Sequence, residues 1–516
     1  MNYNKLFVGG DLSGIQKFLY NITSKKAAMS LKGRSAFLSL YLREIFEKLR
    51  KEIEKSGFHF EPLYCSGGKF YFITDRDPKV ENIIDEITGF YVVELWEKHF
   101  GQLGLSICHV AFNETKQGQD ISYTVEGHEN ERLKTSGVLW KYVNAEFARR
   151  KNQKYKNLLI ERYEDFFEVQ EVGGNTQVCA VTGIETSKCV PLEDSKYKGE
   201  SEDEGLWVLP SVKEQIDLGK KLSREQNLVR KESSVEGEKE IKTFSDYAGD
   251  TYLGILMMDV DGLGKRFIKG FKTLEDYKKF SGKVTEFFEK TVPNKLAEPF
   301  KDFINVIYAG GDDLFIIGRW DKLVEFAEVI HRETEKTFLN DSYIDNGETQ
   351  KISISGGIAI VKPKFPISKG AELAKEAEGA SKSITGKNAF TIFGKTIKWN
   401  LEFEEVQTLK DEFVKFITNR NMKFGKSILF KMMQYSNMAD MNVGKPEKEK
   451  DYRYMWHSAY FISRFMEDFQ KETNFDPTRE RLKFCKKLRN EYTMEPKLKL
   501  AAVAARWAEL LIRDKN

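Results

Sequence analysis

Three aspartates in this 516-residue sequence stand where apolar runs end: Asp259 follows Leu253–Met258, and Asp312 with Asp313 follows the pair Gly310 and Gly311. Carboxylates converging from different strands can hold two divalent ions about 4 Å apart. Such a pair stabilises both the attacking and the leaving oxygen when a hydroxyl displaces pyrophosphate from an α-phosphate. Mg²⁺ takes much of its shell from phosphate oxygens and water, so Asp259, Asp312 and Asp313 suffice as catalytic metal ligands for Mg²⁺ or Mn²⁺. Glycine at 310 and 311 is expected to let a nucleotide approach the backbone closely. An isolated Gly-Gly-Asp-Asp is more often a plain hairpin turn. Here the flanking strands, the upstream strand ending in Asp259 and a second, degenerate copy favour the metal site.

The elements that must position these groups recur along the chain. Leu253–Met258 reads as a strand and Asp259, Val260, Asp261 and Gly262 as a turn, with a helix opening at Leu263. Gly262 and Gly264 at that opening expose backbone N–H groups suited to a triphosphate. Lys382, in the helical run 371–382, is expected to direct positive charge toward the β- and γ-phosphates. The same strand, turn and helix occur near the start, with Asp11 and Gly14 in place of Asp259 and Gly262. Hairpins with glycine tips follow in both copies, as do third strands at 105–111 and 352–360. Lys69 and Phe70 come after Gly67 and Gly68, so the first copy lacks the carboxylates and is expected to bind a nucleotide without catalysing. The spacing predicts an α+β fold of two related palm modules: a degenerate palm at 1–165, an inter-palm linker domain at 166–247, a catalytic palm at 248–398 and a helical domain at 399–516.

Composition narrows the class. Hydrophobic residues make up 41% and charged residues 31%, as in a folded globular protein. The 82 basic residues against 79 acidic ones give a net charge of +3, which leaves only local RNA contacts. Five scattered cysteines imply a reducing compartment without a disulfide framework. No leader pattern and no run of about 18 apolar residues occurs, so a cytoplasmic protein with no membrane partner is expected. Residues 193–247, rich in Lys, Glu, Ser and Asp with few large apolar residues, read as linker and surface loops. The basic run Arg149, Arg150, Lys151, Lys154 and Lys156 is either an RNA contact or a solvated helix face. The tract 452–456 reads as helix packing.

GDLSGIQKFLYNITSKKAAMSLKGRS, SGGKFYFI, MMDVDGLGKRF, YAGGDDLFIIG, SISGGIAIVKPKFPI and GKNAFTIFG together resemble the large subunit of type III CRISPR effector complexes, on its Csm-type side. The resemblance implies two ferredoxin-like palm domains that bind two ATP molecules. It also implies a nucleotidyltransferase that makes cyclic oligoadenylates when guide RNA pairs with target RNA. Expected partners are the other effector subunits, guide RNA and target RNA, with room for single-stranded DNA. Carried over by motif, Ser66, Gly67 and Gly68 lie near an acceptor nucleotide, while Ser355 flanks a donor nucleotide.

Two departures qualify it. The family usually begins with an HD nuclease domain, whereas this sequence opens on a palm strand and none of its six histidines precedes Asp. HD-type cleavage of single-stranded DNA is not expected unless a separate chain supplies it. The family often has a four-cysteine zinc site between the palms. Here only Cys179 and Cys189 remain, with Thr182 and Leu192 at the other two places, so structural zinc is not expected. The alternatives are a stand-alone cyclic dinucleotide synthase, coupling of ATP to another acceptor such as S-adenosylmethionine, and a non-enzymatic RNA-binding scaffold. No Arg-x-x-Asp motif precedes Gly310, which argues against the first.

Overall fold

A near-continuous apolar run makes Lys5–Ser13 (β1) a central strand, buried from Leu6 through Leu12. The computed structural model describes residues 3–23, 26–117, 120–128, 135–167, 176–192, 206–226, 241–345, 347–418, 425–470 and 476–513. Of the stretch 193–247 expected to be linker and surface loops, 193–205 and 227–240 lie outside the described residues, whereas Pro210–Glu225 is a helix, because Val212, Ile216 and Gly219 recur at helical spacing and form a buried face. From β1 the chain passes through Ala27–Lys55 (α1) to the hairpin Phe60–Ser66 (β2) and Lys69–Asp75 (β3). Pro78–His99 (α2) then leads to Gly104–Gln117 (β4) and Asp120–Val125 (β5). The sheet order β2-β3-β1-β4-β5, antiparallel throughout, is that of a ferredoxin-like palm with one added strand.

Local chemistry sets these boundaries. Asp77 caps α2 by accepting the Lys79 N–H, with Pro78 at the first helical position, where its missing donor is harmless. Along α1, Leu31, Leu38, Leu42, Ile45, Leu49 and Ile53 keep the helical period and are buried. The helix Pro210–Glu225 (α4, after Gly137–Lys151, α3) crosses α1 at a pair of glycines. A Cβ on Gly33 would lie 1.6 Å from the Gln215 carbonyl oxygen, and one on Gly219 would lie 2.0 Å from that of Met29. Beside the crossing, buried Arg34 donates to the carbonyls of Phe18 (2.6 Å) and Asn21 (3.1 Å) and to Gln215 Oε1 (3.3 Å). The short helix Ile15–Tyr20 is thereby tied to both long helices.

His99 closes the same core against Phe18 and Phe37. Burial lowers its imidazole to about 4, helped by Arg34 and Lys98. A histidine depressed in the fold takes up protons more readily when unfolded, so stability falls as pH drops from about 6.5 toward 4. Wild-type protein is expected to lose about 2 kcal/mol between pH 7 and pH 5 through this group, a loss absent from His99→Gln. Urea titrations of both proteins at the two pH values measure it.

The second module repeats the first. Leu253–Val260 (β6) is buried along its whole length. Leu263–Lys269 (α5) and Leu274–Thr285 (α6) follow, and α6 continues as a π-helical segment, Glu286–Leu296. Ile304–Gly310 (β7) and Asp313–Arg319 (β8) form the hairpin, and Trp320–Thr337 (α7) leads away. β8 pairs antiparallel with both β6 and β7, which reproduces the arrangement of β3 between β1 and β2. Each hairpin carries an irregularity at the same place, between Pro62 and Tyr64 and between Val306 and Tyr308.

The described chain divides into two compact units, Met1–Ser353 with Ile360–Ala374, and Ile354–Ala359 with Lys375–Asn516. Within the second unit, Gly356 and Gly357 pair in parallel with Phe390 and Thr391, and Ala389–Ile392 pairs antiparallel with Lys395–Lys398. Helices follow from Glu404 onward, and Lys497–Arg513 is buried on nearly every side. The tract 452–456 departs from the expected packing: Tyr454 is buried, but Tyr452 is 44% and Trp456 57% exposed. With four of five residues polar or aromatic, periodicity could not orient that first helical turn. No helix among the described residues is long and apolar enough to cross a membrane.

Candidate metal and nucleotide site

The β6–β8 register sets Asp259 directly opposite Asp313, and the β7–β8 register sets Gly310 opposite Asp313. Asp312 lies in the turn between. The three carboxylates each offer an oxygen within 4.8 Å of the others. Asp259 is 9% exposed, and Asp312 and Asp313 are half-buried. At that spacing each carboxylate pair repels by about 3 kcal/mol at an effective dielectric near 20. A divalent cation reverses the sign of that interaction, so the residues fit a divalent metal site. Among the described residues no other group of three His, Cys, Asp or Glu side chains is arranged to hold an ion.

Burial pushes the Asp312 carboxyl above the usual range, while Lys69 pulls it back down. A carboxyl raised in the fold favours folding below its unfolded value and loses that advantage as pH rises through its folded value. At neutral pH the ionised group therefore opposes folding in metal-free protein. Asp312→Asn is expected to raise the metal-free Tm by about 2–4 °C and to abolish most of the further rise produced by Mn²⁺ in wild type. Differential scanning calorimetry with EDTA or Mn²⁺ measures both.

The two hairpin tips meet. Gly67 and Gly311 have φ of 59° and 66°, and a Cβ on either would lie 2.7 Å or 2.9 Å from the other's Cα. Glycine at 311 is thus required by the facing hairpin, a reason that the sequence alone did not offer. At Gly310 an added Cβ would press on the Tyr308 ring at 3.3 Å. The registers also correct the alignment of the copies. Ser66 pairs with Lys69 as Gly310 pairs with Asp313, so Ser66 replaces Gly310, Gly67 replaces Gly311, Gly68 replaces Asp312 and Lys69 replaces Asp313. Superposing Gly67 and Gly68 on Gly310 and Gly311, as the sequence suggests, displaces the copies by one residue. In the first palm Asp11, the counterpart of Asp259, faces Lys69 and forms an ion pair with Lys151. Arg149 and Arg150 pair with Glu146, so three cations of the basic run already have carboxylate partners.

A cleft of roughly 310 Å³, counting space open to solvent, lies beside the joined tips. Ser66, Gly67, Gly68, Arg43, Glu289 and Tyr308 are among its lining residues. Most of that space is open, and its enclosed part has room for about one water molecule. Sequence reasoning missed Glu289, Arg43, Tyr64 and Tyr308. The tyrosines had a signal, since they occupy equivalent positions in the two copies; the other two had none. Burial raises both phenols, and nearby Asp312 and Asp313 add to it. Each palm also reaches across to the other's hairpin: Lys32 donates to the Val306 carbonyl at 2.8 Å, and Ser281 to that of Leu63 at 3.2 Å.

The remaining expected residues are placed as follows. Gly262 has φ of 70° at the start of α5, where a Cβ would lie 2.7 Å from the Tyr343 hydroxyl, whereas one on Gly264 would meet nothing within 4 Å. Asp261, next to Gly262, accepts from Ser353 Oγ at 2.7 Å and donates its N–H to the Ser353 carbonyl. In the second unit, the Ser355 hydroxyl accepts the Ala389 N–H at 3.3 Å. Lys382 pairs with Glu378 at 3.1 Å, and burial lowers its ammonium to about 8. Cys179 and Cys189 are both buried, and the Cys189 thiol donates to the Gln177 carbonyl at 3.4 Å.

Residues 4–171 match the family described as Csm1 subunit domain B, and residues 252–391 match Cas10/Cmr2, second palm domain. Similar curated proteins include the subtype III-A single-strand-specific deoxyribonucleases Cas10/Csm1 of Enterococcus italicus and Streptococcus thermophilus. The first is 26% identical, over 83% of this chain and 59% of that protein; the second is 25% identical, over 94% and 64%. The chain thus spans about three fifths of the length of the curated relatives it matches. Among solved structures, the Csm1–Csm4 cassettes in complex with pppApApA and with cA4 each give a TM-score of 0.63 at 18% identity, covering 99% of this chain and 70% of theirs. Matched at both palms and along most of its length, the chain belongs to the Cas10/Csm1 family of type III-A CRISPR subunits.

Proposed function

We propose that this chain is a nucleotidyltransferase that joins ATP into cyclic oligoadenylates, acting within a type III CRISPR complex when guide RNA pairs with target RNA. The observation that carries the reading is the meeting of two equivalent hairpin tips, one with the Asp259, Asp312 and Asp313 carboxylates and the other beside a cleft. Solved relatives whose descriptions include one ATP, pppApApA and cA4 support this product class. Because those relatives are Csm1–Csm4 cassettes, a Csm4-type subunit is the proposed direct partner.

Divalent ions, when bound, would supply Lewis-acid stabilisation of the attacking 3′-oxygen and of the leaving pyrophosphate. Asp259, Asp312 and Asp313 would hold them from three points of one sheet end. Ser66, Gly67 and Gly68 would seat the acceptor nucleotide in the cleft. Gly262, Gly264, Gly310 and Gly311 would lie along the donor nucleotide, with Ser355 and Lys382 in the roles the motif resemblance implies. The new bond joins the acceptor 3′-oxygen to the donor α-phosphorus, and the α–β bridge bond breaks to release pyrophosphate.

The test incubates full chain, alone and in a reconstituted complex with target RNA, with labelled ATP and Mg²⁺ or Mn²⁺, and identifies products by mass spectrometry. A cyclic oligoadenylate is expected from wild type. No product under any condition, or one unchanged in Asp312→Ala plus Asp313→Ala, overturns the proposal. A guanine-only product would point to a cyclic dinucleotide synthase, and an S-adenosylmethionine adduct to a different acceptor. A parallel arm with labelled single-stranded DNA tests the activity named for the curated relatives.

A further inference from the structure

A chain of polar contacts crosses between the palms three times and ends one residue from Asp312. Arg43, on α1 of the first palm, pairs with Glu289 Oε2 at 2.7 Å. Glu289, on the π-helical segment of the second palm, accepts the Ser66 hydroxyl at 2.5 Å through Oε1. Ser66, on the first palm's hairpin, accepts the Gly311 N–H at 2.9 Å. Gly311 belongs to the second palm's hairpin and is held in a left-handed conformation against Gly67.

The arrangement is specific in direction. A serine hydroxyl has one proton, and because Glu289 takes it, a lone pair of Ser66 is left to face the Gly311 N–H. A hydroxyl proton turned toward Gly311 instead would set donor against donor. Glu289 is in turn held by Arg43 through its Oε2, which leaves Oε1 to accept from Ser66. The π-helical turn supplies the geometry, since one wider turn shifts a side chain out of the ordinary helical register.

We propose that Glu289 is a positioning residue that, through Ser66, fixes the Gly311 amide and hence the direction in which Asp312 presents its carboxylate to the metal. The inference rests on the metal-site reading above and extends it to a residue outside the sequence motifs. Glu289 touches no reacting atom in this role. Its substitution should therefore change metal affinity even without nucleotide.

The experiment titrates Mn²⁺ into nucleotide-free full chain, followed by electron paramagnetic resonance, and measures hydrogen exchange of the Gly311 amide on the same samples. Glu289→Ala and Ser66→Ala are each expected to weaken Mn²⁺ binding about tenfold and to speed Gly311 exchange, about the loss of one hydrogen bond in effect. The double variant should be no worse than either single one, because both break the same chain. Glu289→Gln keeps an oxygen for the Ser66 proton and should stay within about twofold of wild type. Unchanged Mn²⁺ affinity in both single variants, or losses that multiply in the double variant, overturns the proposal. If Glu289→Ala melts without a cooperative transition, Ser66→Ala and Glu289→Gln decide by the same readouts. Wild-type chain that binds Mn²⁺ but yields no product from ATP would defeat the functional reading while leaving the positioning role standing.

Discussion

Replacing Asp312 and Asp313 together with alanine is expected to reduce nucleotide product by about a thousandfold or more while the chain remains folded. Two ligands of a three-carboxylate cluster would be lost, and with them the charge that offsets the divalent ions stabilising the attacking and leaving oxygens. The fold should tolerate the change, because relief of repulsion among carboxylates within 4.8 Å of one another offsets the lost packing of two half-buried side chains. Rates from labelled ATP should fall through the turnover number, since the lost interactions act on the transition state. The single variant Asp312→Asn isolates the charge: it keeps the side-chain volume and should lose nearly as much activity. A folded double variant that retained more than a tenth of wild-type rate would show that the metal site lies elsewhere.

The second large effect is expected at Gly311→Ala, which removes no functional group. Alanine at φ of 66° costs about 1–2 kcal/mol in backbone strain. Its Cβ would also sit 2.9 Å from the Gly67 Cα, which is backbone, so one hairpin must move. The displaced segment carries Asp312 and Asp313, and a shift of about 1 Å at a reacting centre can cost about 100-fold in rate. The expected result is a loss of that order in turnover, with about 2–3 kcal/mol of stability. Gly67→Ala produces the same collision from the partner hairpin, at 2.7 Å, and should resemble it. Gly282→Ala serves as the comparison: nothing lies within 4 Å on helix α6, and alanine should stabilise by about 0.5–1 kcal/mol. Urea titrations and initial rates on the three variants check the pattern.

Much of the architecture was legible because periodicity and glycine placement encode it locally. The apolar run at 253–258 and the strand pattern at 3–10, each followed by an aspartate, identified two central strands and their internal repeat. The Gly-Gly tips located both hairpins. Local patterning could not fix the alignment between the copies, because the two Gly-Gly pairs sit one position apart relative to their turns and only the strand pairing shows it. Nor could it assign the inter-palm roles of Lys32, Ser281 and Glu289, whose partners are hundreds of residues away in sequence.

The sequence by itself determined the three carboxylates, the strands that carry them and the loss of acidic residues in the first copy, all of which are properties of residue type and short-range spacing. Tertiary structure decided that the two glycine tips touch, that Gly311 answers to Gly67 and that Ser66 links Glu289 to the hairpin bearing Asp312 and Asp313. The physical reason is steric and directional. Backbone atoms that would lie within 3 Å of an added Cβ, and a hydroxyl proton committed to one acceptor, are set by the juxtaposition of distant segments.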